Sequence, residues 1–244
     1  MVRARILVLL AAALLNACGP PNGSADSVAP TPSGSVTRPT SPVATALRYV
    51  ALGDSYTIGT SVALDERWPN QLIAALGSAG PTLDLVANLG VNGFTSRDVL
   101  EVEMPRLAAL QPEFVTLLIG VNDVVQRVSA ETYRRNVTSI LDDLAARVGA
   151  ERILVITTPD YTVAPAGGDF GDPSQQAAAI RTNNEILTGL AAGRRIATVD
   201  IYDLSQRAAS DRSLVAADGL HPSGAQYALW VTRVVPAVES LLGR

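Results

Sequence analysis

Short apolar runs alternate with amphipathic segments from about residue 47 to the C-terminus. The apolar runs are continuous and rich in Val, Ile and Leu, which is typical of strands buried on both faces of a sheet. The predicted strands are Arg48–Leu52, Leu83–Asn88, Phe114–Ile119, Ile153–Thr157 and Ile196–Asp200.

The segments between these runs have apolar residues at helical spacing. The clearest helical face consists of Val137, Ile140, Leu141, Leu144 and Val148. The other predicted helices are Trp68–Leu76, Arg97–Leu110, Gln175–Ala192 and Pro222–Leu242. Strands that alternate with helices predict right-handed βαβ units and a parallel sheet covered on both faces.

The first residues of the chain have a different pattern. A short basic segment precedes an apolar run, Ile6 to Leu15, and a small-residue site follows. That order is typical of a secretory signal, and the run is too short to span a bilayer, which needs about twenty apolar residues. Leu15-Asn16-Ala17-Cys18 resembles a bacterial lipobox, in which the Cys becomes the lipidated first residue. We therefore expect residues 1–17 to be a lipoprotein signal peptide and Cys18 to be lipidated.

The alternative for this segment is ordinary signal cleavage after Ala17. That cleavage favours a small residue where Leu15 stands, whereas a lipobox favours an aliphatic one. The prediction is an exported protein of the cell envelope, anchored to a bacterial membrane through Cys18. If Cys18 is not lipidated, the protein is secreted.

Residues 18–46 are rich in Pro, Ser, Thr and Gly and contain almost no large apolar side chains. Such a segment cannot bury enough surface to fold, so we predict a disordered tether with a mean reach of roughly 30 Å. The tether either holds the folded domain, residues 47–244, away from a membrane or is a lead-in without a role.

Composition limits the function classes. The 244 residues are 48% hydrophobic and 17% charged, which suits one domain with a sizeable core. The net charge is −4, and acids and arginines are interspersed, so no basic stripe indicates nucleic-acid binding. One Cys and one His do not form a zinc ligand cluster. No metal or other cofactor is predicted, and we expect a monomer.

Polar and glycine-rich groups follow the predicted strands. They are Gly53-Asp54-Ser55, Asn88 to Gly93, Gly120-Val121-Asn122-Asp123 and, near the C-terminus, Asp218-Gly219-Leu220-His221-Pro222. Loops after parallel strands open at the same edge of a sheet, so these groups are expected to converge.

The converging groups contain the parts needed for acyl transfer. A serine hydroxyl needs a base, and His221 is the only imidazole for Ser55. Asp218, three residues earlier, can orient the ring and stabilise the imidazolium. The backbone N–H groups of Ser55 and Gly93 and the Asn122 amide can stabilise an oxyanion.

Each of these groups also has a plainer structural interpretation. Ser55 could cap a helix, Gly93 and Asp218-Gly219 could form turns, Asn122-Asp123 could cap a helix, and His221 could lie at the surface. The combination after separate strands favours the catalytic interpretation. Pro222 is predicted to be the first residue of the last helix.

The four blocks resemble the SGNH (GDSL-type) esterase/lipase superfamily in order and spacing. The resemblance covers the domain from about residue 47 and implies a flavodoxin-like three-layer α/β/α fold with a central parallel sheet. It implies that Ser55 is the nucleophile, His221 the base and Asp218 its orienting partner. Gly93 and Asn122 would complete the oxyanion hole with the Ser55 N–H.

The second block leaves Gly90 as a competing choice for the oxyanion donor. Gly93 is preferred because it lies five residues after Asn88 and directly before Phe94-Thr95, as in the family pattern. Tyr56 stands where the family name has Leu, at a position that varies among relatives.

The resulting prediction is a serine esterase that hydrolyses carboxylic esters through an acyl-enzyme at Ser55. Its small-molecule substrate would be a lipid, aryl or short-chain ester. The alternatives are a carbohydrate O-acetylesterase of the same fold and a non-catalytic surface lipoprotein that binds glycan or lipid. The loop from residue 158 to 174 exceeds the usual length, and its Tyr161 and Phe170 are candidate substrate contacts.

Overall fold

A computed structural model describes residues 46–77 and 80–243 of the chain. Within them, five parallel strands form one sheet in the order β2-β1-β3-β4-β5. The strands are β1 (Leu47–Gly53), β2 (Leu83–Asn88), β3 (Phe114–Leu118), β4 (Ile153–Ile156) and β5 (Ala197–Val199). This is the flavodoxin-like order, and all five predicted strands are confirmed to within one residue at each end.

Helices pack on both faces of the sheet. The α-helical segments are α1 (Ser55–Ile58), α2 (Trp68–Leu76), α3 (Ser96–Asp98), α4 (Leu107–Leu110), α5 (Val121–Val125), α6 (Ala130–Val148), α7 (Pro173–Gly193), α8 (Tyr202–Gln206) and α9 (Gly224–Leu242). Alternate residues of β1 point to opposite faces: Tyr49 packs with α2 and α9, and Val50 packs with α6 and α7. The three-layer α/β/α fold is therefore confirmed.

The predicted single helix Arg97–Leu110 is wrong. The chain there consists of α3, a π-helical turn (Val99–Glu103), a 3₁₀ turn (Met104–Arg106) and α4. Pro105 has no N–H to donate to the preceding turn, so a regular helix cannot continue through it. The irregular stretch directs Glu103 inward, where its carboxyl accepts the Gly53 N–H at 3.0 Å.

The predicted position of Pro222 at the start of the last helix is also wrong. Ser223 caps α9, and its hydroxyl accepts the Gln226 N–H at 3.4 Å. Pro222 instead forms an antiparallel bridge with Val215. His221 therefore lies outside the helix, next to a short two-stranded bridge.

The predicted signal peptide (residues 1–17), Cys18 and the tether up to residue 45 lie outside the described residues. Among the helices that the structure does describe, none is both long and apolar enough to cross a membrane.

Candidate active site

The structure places Ser55 at the carboxyl edge of the sheet. β1 ends at Gly53, and Ser55 is the first residue of α1. Asp54, not the serine, caps this helical turn, because its Oδ1 accepts the Tyr56 N–H at 3.0 Å. Ser55 is 6% exposed and lines a cavity of about 160 Å³. The local fold thus presents one nearly buried hydroxyl to this cavity.

The loop before α9 brings the chain's histidine to the same cavity. Nδ1 of His221 lies 2.7 Å from Oδ2 of Asp218. The other carboxylate oxygen, Oδ1, accepts the backbone N–H groups of Leu220 at 2.9 Å and of His221 at 3.0 Å. The ring is thereby held by a carboxylate that is itself fixed by its own loop.

The Asp218 carboxylate is held in its ionised form. Burial by itself would raise the pKa of Asp218, but hydrogen bonds from the Ser61 hydroxyl, the Leu220 N–H and His221 outweigh it. The net effect lowers the pKa of Asp218 well below its usual range. An ionised partner favours one tautomer of the ring and stabilises a positive charge on it.

Two candidate oxyanion donors line the cavity with Ser55 and His221, namely Gly93 and Asn122. The Asn122 amide donates to the Phe94 carbonyl at 3.0 Å and to Oδ2 of Asp54 at a longer 3.4 Å. The long contact leaves one N–H weakly engaged, so a substrate oxygen could replace it.

The structure favours Gly93 over Gly90 as the cavity-facing glycine. A Cβ on Gly90 would lie 2.7 Å from the Asp54 carbonyl oxygen and the Ile58 nitrogen, so Gly90 is a packing residue against the serine turn. Gly93 has a φ of +82° and no atom within 4 Å of a Cβ placed there. Its backbone therefore borders open space.

The four loops that the sequence singled out meet at this cavity, with Asp218 behind His221. Tyr161 and Phe170, the candidate substrate contacts, also line it. Their rings pack edge to face, with centroids 5.8 Å apart. No residue in the described ranges forms a hydrogen bond with the Ser55 hydroxyl. Such contacts in ligand-free enzymes often tighten only with substrate.

Asp123, next to Asn122, has a structural role. Its carboxylate accepts the backbone N–H of Ser96 at 2.8 Å and the Ser96 hydroxyl at 2.6 Å. Asn136 of α6 donates to the same hydroxyl at 3.0 Å. The capping interpretation of Asn122-Asp123 is thus half correct: Asp123 fastens α3 to α5, whereas Asn122 borders the cavity.

Sequence reasoning missed two buried acids behind the serine turn. Asp54 is fully buried, and desolvation raises its pKa to about 7 despite the hydrogen bond from Tyr56. Glu103 is 1% exposed, and desolvation raises its pKa to about 9 despite the hydrogen bond from Gly53. No sequence signal separates Glu103 from the exposed acids of an amphipathic helix.

Sequence reasoning also missed the loop after α1. Ser61 has a φ of +66°, unusual for a residue with a side chain, and its hydroxyl donates to Oδ2 of Asp218 at 2.6 Å. The neighbouring Thr60 hydroxyl donates to Oδ1 of Asn92 at 2.5 Å. This loop therefore joins the serine turn to the two loops that carry Gly93 and Asp218.

Comparison with known proteins agrees with this architecture. The model of the GDSL-like lipase/acylhydrolase family matches residues 51–229, which is most of the chain. None of the curated proteins matches the chain.

Several solved structures share the fold. A lipase/acylhydrolase from Enterococcus faecalis has a TM-score of 0.63 at 22% identity, over 80% of this chain and 97% of that one. A variant of an acetyl xylan esterase from Geobacillus stearothermophilus has a TM-score of 0.62 at 17% identity, over 79% and 94%.

A third solved structure is the psychrotrophic esterase EstA from a Pseudoalteromonas species, inhibited by monoethylphosphonate. It has a TM-score of 0.63 at 16% identity, over 81% of this chain and 100% of that one. The family match and the shared architecture together lead to one conclusion: the chain belongs to the GDSL-like lipase/acylhydrolase family and is a serine hydrolase that acts on ester bonds.

Proposed function

We propose that this protein hydrolyses carboxylic esters in two steps through an acyl-enzyme at Ser55. One observation carries the proposal: Ser55, Gly93, Asn122 and His221 come from four separate loops and line one cavity. Asp218 lies behind the histidine at 2.7 Å. A binding protein would not need an ionised carboxylate aligned on an imidazole beside a serine.

In the first step, Nε2 of His221 takes the proton from the Ser55 hydroxyl as Oγ attacks the ester carbonyl. The carbonyl oxygen becomes an oxyanion, which the Asn122 amide and the N–H groups of Ser55 and Gly93 stabilise. The carbon–oxygen bond to the alcohol then breaks, and the alcohol leaves with the proton from the imidazolium. Ionised Asp218 stabilises that imidazolium throughout.

In the second step, water replaces the alcohol. His221 takes a proton from the water, whose oxygen attacks the acyl carbon and forms a second oxyanion at the same donors. The bond to Oγ breaks, Ser55 regains its proton, and the carboxylic acid is released. Loss of one oxyanion donor typically costs about 3–4 kcal/mol of transition-state stabilisation.

The size of the catalytic cavity favours a short acyl group. The catalytic cavity has a volume of about 160 Å³. That is smaller than the pockets that enclose drug-sized ligands, about 300–1,000 Å³. Val121, Val125 and Leu220 supply apolar wall next to the reacting groups. We therefore favour a short-chain ester over a long-chain lipid.

The second candidate activity is deacetylation of a carbohydrate. It is favoured by a second cavity of about 420 Å³, which shares Val125 and Phe170 with the catalytic cavity and has amide side chains in its lining. An acetyl group would fit the small cavity.

We further propose that the mature protein is exported and lipidated at Cys18. This rests on the order of basic, apolar and lipobox-like residues at the N-terminus. The test is the mass of the N-terminal peptide of protein purified from a bacterial envelope. A diacylated Cys18 is expected. A mature chain that begins at an unmodified Cys18, or one that retains residues upstream of Cys18, would contradict the proposal.

The esterase proposal is tested with 4-nitrophenyl acetate. Ser55→Ala should lower kcat by at least about 10⁴-fold, because the nucleophile and its base act as a unit. Ser210→Ala is the matched control, since this exposed serine bonds only the Arg207 carbonyl. Equal rates for wild type and Ser55→Ala would overturn the proposal.

A further inference from the structure

The second cavity, of about 420 Å³, lies directly beside the catalytic cavity of about 160 Å³. It is bordered by the end of α5, residues 127–130 and the N-terminal half of α7. Val125 and Phe170 line both cavities, so these two side chains lie at the boundary between them. The length of a group that starts in the catalytic cavity is therefore limited by what stands at this boundary.

Phe170 is held at the boundary although its side chain is 39% exposed. Its ring packs edge to face against the ring of Tyr161, with centroids 5.8 Å apart. Its backbone carbonyl accepts a hydrogen bond from Nε2 of Gln176. The next residue must be glycine, because a Cβ on Gly171 would lie 2.5 Å from that amide nitrogen. With both ring and backbone in contact, Phe170 can act as a fixed wall.

The α5 side of both cavities is apolar. Val121 and Val125, one helical turn apart, line the catalytic cavity. Val124, Val125 and Val128 line the second cavity. A row of valines thus leads past Phe170 from one cavity into the other. The opposite wall, from α7, carries amide and hydroxyl side chains. An alkyl chain in the second cavity would lie along the valines and leave the α7 wall to water.

The position of His221 indicates which part of an ester faces this boundary. The imidazolium gives its proton to the leaving alcohol, so the alcohol lies beside His221. Among the described residues that line the second cavity, neither His221 nor its neighbour Leu220 occurs. Asn122, a donor to the carbonyl oxygen, lies one turn before Val125 on α5. These positions favour the acyl chain, over the alcohol, on the side of Val125 and Phe170.

We propose that the Phe170 ring sets the upper limit of acyl-chain length in this enzyme. The inference rests on the proposed esterase function and deepens it. A short acyl group fits the catalytic cavity in front of the ring. A longer chain meets the ring before it reaches the valines of the second cavity. Without the ring the two cavities join, and a longer chain gains apolar contacts beyond Val125.

The test uses two isomeric esters, ethyl hexanoate and hexyl acetate, which carry the long chain on the acyl side and on the alcohol side. Acid release is measured by titration at constant pH. The readout is kcat/KM for ethyl hexanoate divided by kcat/KM for hexyl acetate, so a general change in activity cancels. A rate below detection enters the ratio as the detection limit.

Phe170→Ala should raise this ratio about tenfold or more. Each CH₂ group that becomes buried is worth about fourfold in kcat/KM, and the joined cavities accommodate at least two more of them. Phe170→Leu keeps part of the side-chain volume and should raise the ratio about threefold, close to the value of one CH₂ group. Leu64→Ala is the matched control, because Leu64 is also a large apolar side chain, 64% exposed, and lines neither cavity.

The outcomes separate this inference from the esterase proposal. If wild type hydrolyses neither isomer nor 4-nitrophenyl acetate, the proposed function fails. If wild type is active on any of the three, the expected rise in a Phe170 variant that keeps the wild-type melting temperature supports the inference.

An unchanged ratio, or no turnover of either isomer by any variant, would overturn the inference. A fall in the ratio would do the same, because it would place the alcohol on the Phe170 side. The same rise in Leu64→Ala would show that the boundary is not responsible. If neither Phe170 variant keeps the wild-type melting temperature, the ring serves stability and the inference is likewise overturned.

Discussion

Two aspartates flank the proposed reaction centre, and their surroundings shift their pKa values in opposite directions. Asp54 precedes the serine and is fully buried, so desolvation raises its pKa to about 7. Asp218 adjoins the histidine on a more open loop, where hydrogen bonds outweigh desolvation and lower its pKa well below the usual range. One carboxyl holds its proton near neutrality, and the other is an anion.

The difference shows how the two halves of the site are built. The serine turn is fixed by burial. It packs against the sheet and next to two carboxyl groups whose pKa values are raised. The acid–base loop lies outside the sheet and is fixed by donors to one carboxylate, including Ser61 from the other half. Pairs of groups whose environments separate their pKa values mark different chemical roles. Asp218 fits the charged role, and Asp54 fits a structural one.

The largest expected difference between the two aspartates appears when each is replaced by asparagine. Asp218→Asn should lower kcat about 10⁴-fold, because a neutral amide neither fixes the productive tautomer nor stabilises the imidazolium. Asp54→Asn should lower kcat less than about tenfold at pH 7, since Asn can still accept the Tyr56 N–H and the native carboxyl, with a pKa of about 7, is already about half neutral at that pH. Both are measured with 4-nitrophenyl acetate. Losses of equal size would show that the two aspartates do not differ in the way described.

A smaller effect is expected at the bridge between the halves. Ser61→Ala should lower kcat about 3–10-fold at unchanged KM, because it removes one hydrogen bond to a charged group. The acid limb of the kcat profile should move to higher pH, since a carboxylate with fewer donors stabilises the imidazolium more strongly.

Ser61→Gly is the control for backbone strain, because glycine tolerates the positive φ of this position and also lacks the hydroxyl. The two variants should lose the same activity. Full activity in Ser61→Gly would show that conformation, not the hydrogen bond, matters here.

The smallest effect concerns stability on the buried side. The pKa of Glu103 is raised to about 9, so the folded state retains a proton that the unfolded chain releases above its ordinary pKa near 4.5. The contribution of this proton to the free energy of unfolding is fully present below that ordinary pKa and is lost as the pH rises towards 9. Glu103→Gln stays neutral and can still accept the Gly53 N–H.

The measurement for Glu103 is the melting temperature from pH 5 to 9. The melting temperature of wild type should fall as the pH rises across this range. That of Glu103→Gln should fall less, by about 2–4 °C for each kcal/mol of stability that the variant retains. Glu101→Gln, at an exposed acid paired with Arg97, should keep the wild-type slope. The same slope in Glu103→Gln would mean that Glu103 is ionised in the folded state.

The sheet was predictable because each strand is a continuous apolar run, and a parallel sheet buries such runs on both faces. The polar blocks after those strands predicted the convergence at one edge. The irregular stretch around Pro105 was not recognised, because Val99, Leu107 and their neighbours also fit a helical period. The interruption of the helix in this stretch determines the direction in which the Glu103 side chain points.

Contacts made by single side chains in loops could not be predicted from the sequence. Ser61 reaches Asp218 across 157 positions of the chain, and an exposed serine in a polar loop has no feature that marks such a bond. The hydrophobic pattern predicts the secondary-structure elements and the edge of the sheet at which the loops meet. Hydrogen-bond partners depend on the packed structure.

The central claim, that Ser55 is the nucleophile, is tested most directly by covalent labelling with 4-nitrophenyl ethyl methylphosphonate, followed by peptide mass spectrometry. We expect one adduct per chain, on the peptide that contains Ser55, formed in step with the loss of esterase activity. Ser55→Ala should carry no adduct. Inactivation with the label on another residue, or full esterase activity with Ser55 labelled, would contradict the account.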